Sequence, residues 1–379
     1  MYKAFKFRIY PNNEQKVLIN KTFGSIRFIY NYYLSKNKSN GYMNPYSNIK
    51  DYVDNTKKDY PFLTEVDSLV IRKSIFSLDD NLKKYYNNHF GYPKFKSKYS
   101  RNSYTTSAIY REYKDKAYCN IGVYLLNRKI KLPKLKWINI RGYRNTKNIN
   151  GKIVNATISR ECNGKYYVSV LIDMIHIKNE RIIPRYIVGI DIGIKKLLTL
   201  SDGTTFDNNK YLEKYEKRIK RIQRELSRKN KKSNNYYKCK HKLSILYSKL
   251  YNARKFYLHK ITKYITDEND VIVCEGLRTK NMITKKELSK EITDATFGEI
   301  LRQLEYKCKY KDKYFYKIDT YYPSSQICSH CDNIDKRYKN LNERVYKCSK
   351  CGYIFDRDFN ASNNILFEGL KLYMEEVYE

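Results

Sequence analysis

The chain opens on strict alternation. Across residues 2–10, Phe5, Phe7 and Ile9 alternate with Lys6 and Arg8, predicting a half-buried strand with one basic face, and Pro11 ends it. Asn12 and Gln15 then stand three apart as a capping box, and Val17, Leu18, Phe23, Ile26 and Tyr30 trace the apolar face of a helix. A second helix is predicted over 66–86, where Ile71, Ile75, Leu78, Leu82 and Tyr85 recur at spacings of four, three, four and three. Residues 11–88 thus read as a small helical lobe. From His89 the texture changes to a turn and basic–aromatic alternation (91–98), followed by strand-like runs at 120–126, 128–132, 136–140, 152–159 and 165–174. Short strands with turns between them predict a β-barrel-like or wrapped sheet over 89–180, completed by the first strand, residues 1–10.

After Pro184 the pattern shifts again. Residues 186–193 form an apolar strand interrupted by Asp191, followed by a second strand at 196–200, a turn at 201–204 and Phe206. Two helices with three-four apolar repeats come next, one through Leu212, Tyr215, Ile219, Ile222 and Leu226, the other through Leu243, Leu246, Leu250, Ala253, Tyr257, Ile261 and Tyr264. Such repeats predict helix-on-helix packing, with the polar 227–235 segment as the hairpin tip. Residues 270–277 repeat the earlier device, an apolar strand ending in Glu275; a helix with Phe297, Leu301 and Leu304, a strand at 314–320 and a last helix from about Asn360 complete the chain.

A length of 379 residues accommodates two or three domains. Lys and Arg number 76 against 39 acids, a formal net charge of +37, which is the footprint of a polyanion partner. Heavy use of Lys, Asn, Ile and Tyr also matches an AT-rich genome, but that bias does not explain why acids are so outnumbered. In the predicted β-rich region Lys94, Lys96, Lys98, Arg101, Arg128, Lys129, Lys131, Lys134, Lys136, Arg141 and Arg144 suit backbone phosphates, although a charge run is equally a solvated face. The 41 tyrosines interleave with basic residues as stacking platforms would, yet most read as core or half-buried strand positions. No signal peptide and no apolar run of about 18 residues is evident, so a soluble cytoplasmic protein without a membrane partner is expected. Cys119, Cys162, Cys239, Cys274 and Cys308 show no paired spacing, as expected of a reducing compartment.

The densest chemistry lies between residues 328 and 364. Cys328/Cys331 and Cys348/Cys351 stand as C-x2-C-x16-C-x2-C, the spacing of a tetrahedral structural zinc site with a short hairpin between its knuckles. His330 is left off the metal, since four thiolates already suffice. Seven residues past Cys351 comes Asp358, in the run Asp356-Arg357-Asp358 that leads into an Asn-rich helix. An isolated Asp inside an apolar strand is costly to bury unless something pairs with it. Asp191 in one strand, Glu275 at the end of another and Asp358 at a helix start form a set of three such acids. The order of elements resembles that of RNase H-like folds, whose acids converge at one sheet edge. Three carboxylates there can hold two Mg²⁺ ions roughly 4 Å apart for in-line attack on a phosphodiester.

The runs GIDIGIKKLLTLSDG, VIVCEGL, FGEILRQLEYK, YYPSSQICSHC, CSKCG and DRDFNASNNI, with KAFKFRIYPNNEQ, FGSIRFIYNYYL and GYPKFKSKYSRNSYTT near the start, resemble the TnpB family of transposon-encoded RNA-guided DNA nucleases. They are similar also to the smaller type V CRISPR effectors. The resemblance covers nearly the whole chain. It implies an α+β, multidomain protein: a wedge-like nucleic-acid-binding β domain (1–10 and 89–180), a helical recognition lobe (11–88), a RuvC-like nuclease domain (181–322 and 354–379) and an inserted zinc ribbon (323–353).

The resemblance places the catalytic, Mg²⁺-binding acids on Asp191, Glu275 and Asp358 and the structural zinc on Cys328, Cys331, Cys348 and Cys351. Asp356 then has a structural role, and Asn360 stands where it could orient the site. A guide RNA derived from the transposon end and target double-stranded DNA are the implied partners, with cleavage beside a short flanking motif and the protein monomeric with its RNA in a prokaryotic cell. Two other readings stay open: a transposase using the same triad for strand transfer, and a non-enzymatic zinc-ribbon regulator.

Overall fold

The computed structural model describes all residues except 88–89, 114–115, 143–148, 150, 175–183, 278–293, 340–342 and 379, and the side chains of all of these except 110–113, 116–121 and 377–378. The chain forms two compact units, Met1–Ile177 and Lys178–Glu379.

In the first unit the opening alternation becomes β1 (Tyr2–Tyr10), with Phe5, Phe7 and Ile9 buried. The strands that follow are β2 (Asn102–Ser107), β3 (Ile109–Tyr113), β4 (Lys116–Ile121), β5 (Tyr124–Leu126), β6 (Lys129–Leu132), β7 (Lys136–Arg141), β8 (Lys152–Arg160) and β9 (Tyr166–Asp173). Seven of them form one sheet in the order β2-β8-β9-β1-β7-β6-β5, while β3 and β4 pair as a separate hairpin. The first strand does not close the sheet from its edge, as the sequence suggests; it is central, antiparallel to both β7 and β9. Among the described residues the sheet is open, with β2 and β5 as its edges. The run at 120–126 is not one strand but the end of β4 and the whole of β5, broken at Gly122-Val123.

Helix α1 (Asn13–Asn40) starts at the expected capping box: Asn12 accepts from the Gln15 amide at 2.8 Å, and the Asn12 amide donates to the Gln15 side chain at 2.9 Å. Its first half presents Ile19 and Phe23 to the sheet; its second half gives Ile29, Tyr30, Tyr33 and Leu34 to a helical core. That turn of the buried face leaves Val17 exposed, against the sequence pattern. The rest of the lobe is α2 (Pro45–Asp51), a π turn at Tyr52–Thr56, the single turn α3 (Lys57–Asp59), a 3₁₀ turn at Pro61–Glu65 and α4 (Ser68–Tyr86). Ile71, Ile75, Leu78 and Leu82 of α4 are buried as the three-four spacing predicts, and Tyr85, at the fraying end, is partly exposed.

The second unit is built on five strands: β10 (Ile187–Ile192), β11 (Lys196–Leu200), β12 (Thr205–Asp207), β13 (Val271–Glu275) and β14 (Tyr314–Ile318). Their order is β12-β11-β10-β13-β14, with β10, β13 and β14 parallel and β11 and β12 antiparallel. The inserted helices are α5 (Tyr211–Ser227), α6 (Asn234–Glu268) and α7 (Phe297–Tyr310). Side-chain alternation divides the sheet faces. Val188, Ile190, Ile272 and Cys274 pack with Leu258, Ile261 and Ile265 of α6 and with Phe297, Ile300 and Leu304 of α7. Val271 and Val273 point the other way, onto Ile365 of α8 (Arg357–Tyr378). The α5–α6 hairpin carries a small core of its own from Ile219, Ile222, Cys239, Leu246 and Leu250. Tyr264 is half-exposed instead of completing that stripe, its ring set edge-on against Phe206.

Helix α8 lies close over β10 and β13 because each contact point has a glycine on one side, Gly189 on the strand and Gly369 on the helix. A Cβ added at Gly189 would fall on the Ser362 carbonyl oxygen and 2.6 Å from the Leu366 nitrogen, while one at Gly369 would fall on the Val273 methyls. Gly189→Ala is therefore expected to push α8 off the sheet and destabilise the second unit by about 1–3 kcal/mol. Thermal denaturation checks this, and an unchanged melting temperature would contradict it.

Candidate active site and metal centre

The carboxylates follow from the same alternation. Asp191 lies two residues after Gly189 and Glu275 two after Val273, so both side chains leave the sheet on the α8 side. Parallel pairing sets Ile190 against Cys274, which brings Asp191 and Glu275 to neighbouring strand ends. Helix α8 begins at Arg357, three residues earlier than the sequence suggests, and places Asp358 in its first turn. The acids are close enough to act on one another: burial first, then the Glu275 and Asp358 carboxylates, push the Asp191 carboxyl well above its ordinary range, against the Arg357 guanidinium and the Ile192 amide. Burial also lifts Glu275, while the Ser324 hydroxyl, which donates to its Oε1, pulls it down.

Asp356 has a different task. Its Oδ1 accepts from the amides of Asp358 at 3.0 Å and Phe359 at 3.1 Å, the work of a helix N-cap, and Lys196 approaches it at 3.8 Å. Asn360, which the sequence places as a possible orienter of the carboxylates, is turned to the cysteine module instead: Oδ1 accepts from the Ser329 amide at 2.9 Å and Nδ2 donates to the Ile327 carbonyl at 2.7 Å.

Two arginines at this site escape sequence reasoning. Arg344 approaches Asp358 at 3.6 Å, and Arg357 is buried, its Nη1 donating to the Glu343 carbonyl at 3.5 Å; among the described residues the Nε of each is buried without a hydrogen-bond partner. Position 357, between two acids, was the available signal.

The four ribbon cysteines converge. Their sulfurs all lie within 4.8 Å of one another, with Cys328–Cys351 at 3.8 Å and Cys331–Cys348 at 3.5 Å. A tetrahedral site with Zn–S bonds of about 2.3 Å has sulfur–sulfur edges of about 3.8 Å, so the donor set and its spacing fit zinc. Burial raises the Cys348 thiol, but the amides of Cys351 and Lys350 outweigh it and bring it down to about 6. His330 is outside the group; its ring stacks on Tyr353 at 4.5 Å, and Tyr353 stacks on Phe355 at 4.5 Å. The second knuckle sits in the hairpin of β15 (Val345–Lys347) and β16 (Ile354–Asp356). Among the described residues the thiols are the one such group of three or more potential ligands. The three carboxylates stand further apart; their hard oxygens suit Mg²⁺ and not the soft-ligand ion of the ribbon.

In the first unit Lys129, Lys131, Lys136 and Arg141 project outward from β6 and β7. Lys96 does not: its ammonium sits 3.6 Å from the centre of the Tyr30 ring, and burial lowers it to about 8. Arg144 lies outside the described residues.

Three family models match the chain: “Probable transposase” over residues 175–286, “Cas12f1-like, TNB domain” over 297–365 and “Helix-turn-helix domain” over 1–44. The last segment is here a strand and one long helix. A solved Cas12f1–sgRNA–target DNA complex matches with a TM-score of 0.57 at 15% identity, over 96% of this chain and 98% of that one. “Putative RNA-guided DNA endonuclease InsQ” of Escherichia coli K12 is 30% identical, the match spanning 97% of this chain and 92% of that protein; “Putative RNA-guided DNA endonuclease” of Streptomyces pristinaespiralis is 30% identical over 97% and 89%. The fold is thus that of a multidomain, mixed α/β protein of the Cas12f1 kind. The chain belongs to the TnpB family, the IS605 OrfB proteins.

Purified protein is expected to hold about one zinc per chain, measured by elemental analysis, and Cys348→Ser to lose it. A second expectation concerns Asp191. Its raised carboxyl keeps a proton in the folded state where the unfolded chain, near 3.8, has released it, so stability falls as pH rises through that window. Asp191→Asn is accordingly expected to raise the melting temperature at neutral pH in buffer without Mg²⁺. A melting temperature at or below that of the parent protein would contradict the assignment.

Proposed function

We propose that this chain is an RNA-guided, Mg²⁺-dependent DNA endonuclease whose second unit is a RuvC-like nuclease with an inserted zinc ribbon. The observation that carries the reading is the convergence of Asp191, Glu275 and Asp358, from β10, β13 and α8, on the side of the sheet that α8 covers. The names of its full-length relatives point the same way.

In this reading Asp191, Glu275 and Asp358 hold Mg²⁺, which when bound supplies charge stabilisation and water activation at a phosphodiester. The protein's own groups prepare the place. Burial of Asp191 between two like charges makes the unoccupied site costly, so a divalent cation is drawn to it. Arg344, beside Asp358, and Arg357, whose charge acts on Asp191, temper that repulsion. Asp356 fixes the first turn of α8 and hence the height of Asp358. The ribbon zinc has a structural part, and the outward lysines and arginines of the first unit hold RNA through its phosphates. A guide RNA from the transposon end reads the target by base pairing, the protein reads a short flanking motif, and one copy of the chain acts with its RNA.

Expressed with its native flanking DNA, the protein is expected to co-purify with a discrete RNA and to cut plasmids carrying the matching target. Cutting that needs no RNA, or products with joined transposon ends, would transfer the site to a strand-transfer transposase, which differs in nucleophile and not in metal ligands. Asp191→Ala is expected to abolish cutting while target binding persists, because it removes a metal ligand and no phosphate contact.

A further inference from the structure

The segment between β14 and the first knuckle joins two of the acids. Ser324 is buried, and its hydroxyl donates to Glu275 Oε1. Its carbonyl accepts from Asn364 Nδ2 at 2.7 Å, and the same amide group donates to the Ile327 carbonyl at 2.7 Å. Asn360 Nδ2 shares that Ile327 acceptor, and Asn360 Oδ1 takes the Ser329 amide next to Cys328. Asn360 and Asn364 stand one turn apart on α8, the helix that carries Asp358, and both are buried. A hydrogen-bonded relay therefore runs from the helix of Asp358 through Asn364 to Ser324 and on to Glu275.

We propose that Ser324, backed by Asn364, is a positioning residue for Glu275; the proposal rests on reading the three acids as a Mg²⁺ site. A carboxylate at a strand end is free to rotate about its last torsions. A donor to one oxygen fixes the plane of the group and favours its ionised form, and among the described residues Oε2 carries no hydrogen bond. The hydroxyl is not needed for the loop itself: the turn is closed by backbone bonds from Ser324 to Tyr322 at 2.9 Å and from Gln326 to Pro323 at 2.8 Å. Its removal leaves those intact and takes away the contact to Glu275. Asn364 in turn has both its donor bonds on carbonyls of the loop, so the buried amide is satisfied only while the loop keeps its place on α8.

The test compares Ser324→Ala and Ser324→Thr with the parent chain, each in complex with its RNA, in single-turnover cleavage across a Mg²⁺ titration. Target affinity, zinc content and Mn²⁺ binding by electron paramagnetic resonance are measured on the same samples. Ser324→Ala is expected to need roughly tenfold more Mg²⁺, or beyond, for half-maximal rate, and to bind Mn²⁺ correspondingly more weakly. Target affinity and zinc content stay at the parent level, and Ser324→Thr restores the metal response. Superimposable Mg²⁺ curves for Ser324→Ala and the parent, or a threonine variant as impaired as the alanine one, would overturn the proposal. A parent complex that never cuts would instead overturn the endonuclease reading. The relay is then decided by Mn²⁺ binding alone, where the same shift supports it and an unshifted isotherm refutes it.

Discussion

The second unit depends on how near α8 can come to its sheet. At Gly189 the strand meets the backbone of the helix, at Gly369 the helix rests on the Val273 side chain, and a Cβ at either glycine would fall on atoms of the opposing element. Because interiors are packed close to crystal density, the helix has one height available. That height decides where Asp358 stands relative to Asp191, two residues along β10 from the contact, and Glu275 at the neighbouring strand end. With a side chain at either glycine the helix would sit further out, and the charge interaction among the three acids would fade with it.

The ribbon acts as a brace against the other freedom of α8, sliding along its axis. The helix is capped by Asp356 of β16, and its amide at Arg357 donates to the Arg344 carbonyl at 2.8 Å. Asn360 and Asn364 of α8 hold the loop that leads into the first knuckle. Four sulfurs then tie that knuckle to the hairpin from which the helix emerges. The chain closes this loop covalently, and a metal shared by the four converging sulfurs would close its other side, so that the acid at the helix start is registered from both.

Much of this was legible in the residues. The alternation of β1, the Asn12–Gln15 capping box, the two acid-bearing apolar strands and the doubled CxxC spacing are local patterns, and each appears where the pattern puts it. What was not legible is set by partners distant in the chain. Nothing local distinguishes Ser324 from Ser325, yet only the former meets Glu275. Asn360 looks like a companion of Asp358 but turns to the ribbon, because a helix sends residues two apart in different directions. The central place of β1 between β7 and β9 likewise depends on pairing across more than a hundred residues, which periodicity does not encode. Helix α8 starts three residues before the Asn-rich run because its cap is Asp356 of β16.

Helix α8 also orders events in time. It packs on β10, β13 and β14, which are made long before it, and it supplies both the last acid and the asparagines that hold the loop beside Glu275. A nascent chain on the ribosome therefore exposes a sheet with two uncompensated carboxylates and no third until α8 has cleared the exit tunnel. The site comes into being late in synthesis, and a truncated translation product that ends in the ribbon lacks it altogether.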